Sequence, residues 1–208
     1  MKTTLIFASF LCVFLLVSCS GPVLIAKNEA DGIKTSYQDA GLSDLSDKYR
    51  PVLNNIYQRY ESAGIDVYPA GIGFTTVSDL EGNKHHYLLV QVRPRNIMFG
   101  EVQTKPNERF SEVFRNHFEN NLRYLKVEDV GMEGVDGVAF GVYWPVRDLS
   151  QCDKNGGFLE YTIVYFHKGD FIDLAERRAT LSQAIENAEV VTSLAKKPAK
   201  EVRITEVR

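Results

Sequence analysis

The reactive side chains of this 208-residue chain are few: three cysteines and four histidines. Cys152 with His167 or His117 as its base has the residue types that nucleophilic catalysis needs. Its setting, Gln151-Cys152-Asp153, matches no catalytic signature, and an adjacent carboxylate raises a thiol pKa rather than lowering it. Cys152 therefore reads as an incidental loop thiol. His85 and His86 are neighbours in a strand-like run, so their rings point to opposite faces and cannot grip one ion. No His-Glu-Xaa-Xaa-His or Cys-Xaa-Xaa-Cys spacing occurs, and Gly131-Met132-Glu133-Gly134 with Gly137 follows neither the Rossmann nor the P-loop order. The Gly-Xaa-Ser-Xaa-Gly elbow of α/β-hydrolases is also missing. No metal and no cofactor are expected. A hydrolase-like enzyme, the alternative reading, would draw on Glu160 and His167, which lie on the two faces of one strand.

Two other groups of residues suit binding. His117 and Asn121 are four apart in a helical pattern and, at about 100° per residue, fall near the centre of its apolar stripe. Polar groups there need hydrogen-bond partners, since an unsatisfied one costs about 1–3 kcal/mol. Both are expected to be buried and bonded to each other or to the sheet, as a structural pair or as the lining of a ligand pocket. Arg93, Arg95 and Lys105, with Tyr87 nearby, form a candidate anion-reading patch, while Lys196, Lys197 and Lys200 could lean on acidic headgroups.

These residues are positioned by a regular series of elements. Leu45, Tyr49, Leu53, Ile56, Tyr57 and Tyr60 mark a helix over 45–63, with Ser43 or Asp44 as cap, Gly64 after its end and Pro51 as a kink or a later start. Strand-like runs follow at 71–77 and 86–93, joined by the turn Glu81-Gly82-Asn83-Lys84. A second helix over 107–125 buries Phe110, Val113, Phe114, Phe118, Leu122 and Leu125. A second pair of strands follows at 138–146, which alternates with period two, and 158–167, and a third helix is read over 174–194, starting at an Asp173/Glu176 capping pair. Val202 and Ile204 suggest a last short strand, and the patch at 23–26 an edge strand. The order predicts an α+β fold: an antiparallel sheet of about four to six strands with two or three helices, arranged as two αββ units.

The N-terminus carries an address. After Lys2 an apolar run spans 5–17, too short to cross a ~30 Å hydrocarbon core but suited to a secretory signal. It ends in Leu16-Val17-Ser18-Cys19, which resembles the lipobox of bacterial lipoproteins; the resemblance covers only the first 20 residues. It implies that 1–18 is a signal peptide removed by signal peptidase II and that Cys19 is lipidated, with acyl chains such as palmitate holding the protein on the membrane. Each buried methylene contributes about 0.8 kcal/mol, and two or more chains make anchoring stable. Ser20, where an Asp would resemble an inner-membrane retention signal, implies the outer membrane, facing the periplasm or the surface. In a Gram-positive cell the same anchor implies the outer face of the plasma membrane. With Cys12 removed and Cys19 modified, Cys152 is the one remaining thiol, so no intrachain disulfide is expected.

Residues 19–42 read as the lipidated N-terminus and tether, and 43–208 as a single globular domain. Composition agrees: 44% hydrophobic and 11% aromatic residues suffice for a packed core. The net charge of −3 argues against nucleic acid as partner. The sequence thus predicts a lipid-anchored cell-envelope protein that acts by binding or assembly on a partner protein, an envelope polymer or a small ligand.

Overall fold

A computed structural model describes residues 29–79, 81–100, 103–147, 158–193 and 200–201. The expected signal peptide 1–18, Cys19 with its lipobox-like motif, the patch at 23–26, Cys152 with its loop, Lys196 and Lys197, and Val202 and Ile204 lie outside the described residues.

The first helical stretch is divided. A short turn, α1 (Glu29–Gly32), precedes α2 (Ala40–Lys48), whose cap is Asp39, a few residues before the expected Ser43 or Asp44; its carboxylate accepts the Gly41 N–H at 2.8 Å. Tyr49 leaves helical geometry, and Pro51 sits in the first turn of α3 (Arg50–Ser62). A proline has no N–H for the preceding turn and crowds its carbonyl, so the helix restarts here. It stops before Gly64, whose φ of +72° suits the position after a C-cap.

The chain joins the core earlier than the expected start at 43. Ile33 and Leu42 are both buried, and the Lys34 N–H donates to the Ile72 carbonyl at 2.7 Å. The packed domain therefore begins by residue 33, and 33–42 is not tether.

Strands β1 (Asp66–Ser78), β2 (Lys84–Arg93), β4 (Gly137–Arg147), β5 (Phe158–His167), β6 (Glu189–Ser193) and β7 (Lys200–Glu201) form one sheet in the order β1-β2-β4-β5-β6-β7. The two-residue β3 (Phe99–Gly100) pairs with the far end of β4. The fold is α+β and the sheet mostly antiparallel, as read. The β2–β4 and β3–β4 pairs are parallel instead. The reason is the connection: α4 (Pro106–Val113), a π-helical turn (Phe114–Phe118), α5 (Glu119–Leu122) and α6 (Val127–Val130) return the chain to the end of the sheet where β2 began.

The third expected helix is corrected. Only α7 (Lys168–Ala175) and α8 (Leu181–Glu186) are helical, separated by Arg177 at φ +62°, and 189–193 is strand. The capping box belongs to Thr180 and Gln183, which exchange backbone bonds at 3.3 and 2.8 Å; Asp173 instead accepts the Arg178 side chain. Val190 and Thr192 face inward and Val191 outward, a period of two that the helical reading overlooked.

The sheet has two unlike faces. All buried apolar side chains of the described helices join one cluster with the inward strand residues, among them Phe74, Val90, Phe140, Trp144 and Phe166. Phe110, Phe114 and Phe118 stack in a row down the second helix, and Phe118 meets Phe140 edge-on at 5.1 Å. A second, smaller cluster on the opposite face contains strand residues alone: Tyr87, Leu89, Ala139 and Ile163, with Val77, Tyr161 and Tyr165 against them.

Candidate functional site

That second face is built from alternation and small residues. Along β4 the inward Val138, Phe140, Val142 and Trp144 leave Gly137, Ala139, Gly141 and Tyr143 facing the other way. Gly137 has no room for a side chain: a Cβ there would lie 2.0 Å from the Phe166 carbonyl and 2.8 Å from the Tyr87 ring. Over this low strand Tyr87 of β2 and Tyr165 of β5 meet edge to face, with centroids 5.5 Å apart.

At the other end, β1 carries an irregularity between Val67 and Ile72, with Ala70 at φ +54°. A Cβ on Gly71 would lie 2.6 Å from the Tyr68 carbonyl and 2.7 Å from the Gln91 carbonyl. The bulge turns Tyr68 onto Tyr143 at 4.4 Å, and Tyr143 in turn lies 5.2 Å from Tyr161. Tyr68, Tyr143, Tyr161 and Tyr165 are half-buried.

Burial keeps three of the face's phenols, Tyr143, Tyr165 and Tyr87, neutral. Burial pushes the Tyr143 hydroxyl well up, with Tyr68 and Tyr161 adding to the effect. Burial also raises Tyr165 and Tyr87, and the Glu189 carboxylate beside both raises them further. Neutral hydroxyls donate and accept hydrogen bonds but do not act as bases. The face can therefore bind through ring edges and hydroxyls.

The residues singled out by sequence are distributed differently. Asn121 is buried as expected, but its side-chain amide donates to the His117 carbonyl one turn back, not to the imidazole. The Asn121 carbonyl accepts the Tyr60 hydroxyl at 3.0 Å. His117 is half-buried, and burial holds its imidazole below the usual histidine range. The π turn at Phe114–Phe118 is the cause: with its wider winding the 100° wheel no longer applies, and His117 rotates off the stripe. The pair closes a helix turn.

Glu160 and His167 are not brought together. Glu160 is fully buried and holds Arg109 through two bonds, Nε–Oε2 at 2.8 Å and Nη2–Oε1 at 2.6 Å. Trp144 Nε1 donates to the same carboxylate at 2.9 Å, and Arg109 also reaches the Thr104 carbonyl. His167 is exposed on the other face. The Arg109–Glu160 pair fixes the start of α4 on the sheet; Arg109 escaped the sequence reading because a single arginine in a helix carries no burial signal.

His85 braces the β1–β2 turn. Its Nε2 lies 3.3 Å from Asp79, and Asp79 also accepts the Glu81 and Asn83 N–H groups. Hydrogen bonds, chiefly from Asn83, hold the Asp79 carboxyl down at about 2. Among the described residues no group of three or more His, Cys, Asp or Glu side chains is placed to hold a metal ion. Of the basic trio, Arg95 is paired with Asp66 at 2.7 Å, whereas Arg93 lies on the tyrosine face.

The tyrosine face itself was missed, although Tyr161 and Tyr165 opposite the inward Thr162, Val164 and Phe166 were the available signal. No described helix is long and apolar enough to cross a membrane. No known protein family, characterised protein or solved structure matches this chain.

Proposed function

We propose that this is a lipid-anchored protein of the cell envelope that works by binding, with the tyrosine face of the sheet as its working surface. Anchoring rests on the lipobox-like Leu16-Val17-Ser18-Cys19 and its preceding apolar run. The observation that carries the binding reading is the row Tyr68–Tyr143–Tyr161 on the side of the sheet away from the helices' buried side chains. Half-buried tyrosines backed by a rigid sheet lose little conformational entropy on contact, which is why such rings are enriched where proteins bind. The partner is an envelope component held close to the membrane; nucleic acid is disfavoured by the net charge of −3.

A photo-reactive phenylalanine analogue placed at Tyr161, and separately at the exposed Gln58 on α3, tests this in intact cells. The expected result is a discrete cross-linked adduct from position 161 and none from 58. Absence of any adduct at 161, or the same adducts from both positions, would overturn the reading.

A further inference from the structure

We propose that the tyrosine face pairs with the same face of a second copy of this chain; this rests on the binding reading and names its partner. Tyr143 is sandwiched between Tyr68 and Tyr161 with interplanar angles of 19° and 30°. Its two ring faces are occupied, so the row offers edges and hydroxyls. Edges suit interdigitation with another row of side chains better than they suit a sugar or base laid flat.

The charges at the corners select the partner. Arg93 lies at the end of β2 opposite Asp66, and Glu189 lies at the start of β6 opposite Tyr165. Both stand on this face, and neither has an ion-pair partner among the described residues, while Arg95, Lys84, Arg178 and Arg59 are all paired. A partner of one sign would satisfy one corner and oppose the other. A second copy related by a two-fold axis between the corners brings each Arg93 to the other's Glu189, so the contact forms twice.

The register fixes the geometry. Glu189 is level with Leu89 through Tyr165 and Ala139, so the corners are three strand spacings apart, about 14 Å, and offset by about 13 Å along the strands. A two-fold axis across that diagonal crosses the two sheets at close to a right angle, one of the two ways sheets stack.

Sedimentation of the full chain in detergent over a concentration series tests the pairing. The wild type is expected to form a dimer, R93E and E189R each to weaken it about tenfold or more, and R93E/E189R to restore most of the loss. The neutral variants R93Q and E189Q, which disturb the fold least, should weaken it less than the reversals. A monomer at every concentration, a dimer indifferent to the single substitutions, or a double variant no better than the singles would each overturn the proposal. A monomer that still gives a discrete adduct to another species from position 161 would sink the second copy alone and leave the binding face standing.

Discussion

Tyr68 and Tyr143 stack with ring centroids 4.4 Å apart although strand β2 runs between the strands that carry them. Backbones two strands apart are separated by roughly 9.5 Å, so the rings must lean toward each other across β2. The bulge in β1 makes this reach possible, and Gly71 makes the bulge possible.

Gly71→Ala should therefore loosen the tyrosine row. The new methyl would press on two backbone carbonyls, which cannot swing aside as a side-chain tip can. The expected cost is about 1–3 kcal/mol in a denaturant titration, with a changed near-ultraviolet tyrosine signal. A variant matching wild type in both would mean that the bulge does not hold Tyr68.

The pair Arg109–Glu160 should behave as a unit. Glu160→Gln leaves the guanidinium buried without its counter-charge, at an expected cost of about 3–5 kcal/mol. R109M/E160Q removes the buried charge while keeping an acceptor for Trp144, and should be more stable than E160Q alone. A double-mutant cycle with no coupling would contradict the assignment.

Two groups make stability fall with falling pH, in different parts of the acid range. Asp79 has its folded pKa held at about 2, below its unfolded value, so its contribution is present above pH ~4 and lost as pH falls toward 2. Thermal melts of D79N should accordingly be flatter than wild type over that acid range. For His117 burial also lowers the folded pKa, so the unfolded chain binds the proton more readily and stability declines as pH falls below ~6.5. His117→Gln should remove that decline, and an NMR titration should place the imidazole below the free-histidine value; a normal or raised value would contradict the half-buried placement.

Much of the fold was legible because it was written in periodicity. The alternation of Val138, Phe140, Val142 and Trp144, and the turn at Gly82 with φ +86°, lead directly to β4 and to the β1–β2 hairpin. The failures have identifiable causes. The helical reading of 174–194 failed where Arg177 and Asn187 end short helices and β-branched Val190, Val191 and Thr192 follow. Asn121 is buried as read, whereas His117 is only half-buried, because a π turn changes angular register without any composition cue. The tyrosine face joins residues on β1, β2, β4 and β5, and such a surface becomes visible only when strand order is known.

Anchoring has its own test, independent of the fold. Cys19→Ala should abolish lipidation and leave the signal uncleaved, and inhibition of signal peptidase II in the wild type should accumulate the same precursor. Normal processing of the variant together with a soluble wild-type chain would contradict the anchor.

The most direct measurement of the central claim is hydroxyl-radical footprinting of Tyr161 and Tyr165 in native envelopes and in dilute, detergent-solubilised chain. If the tyrosine face is the working surface, both rings are protected in the envelope relative to the dilute chain, while the exposed Met98 labels alike in the two. Equal labelling of Tyr161 and Tyr165 in both preparations would contradict it.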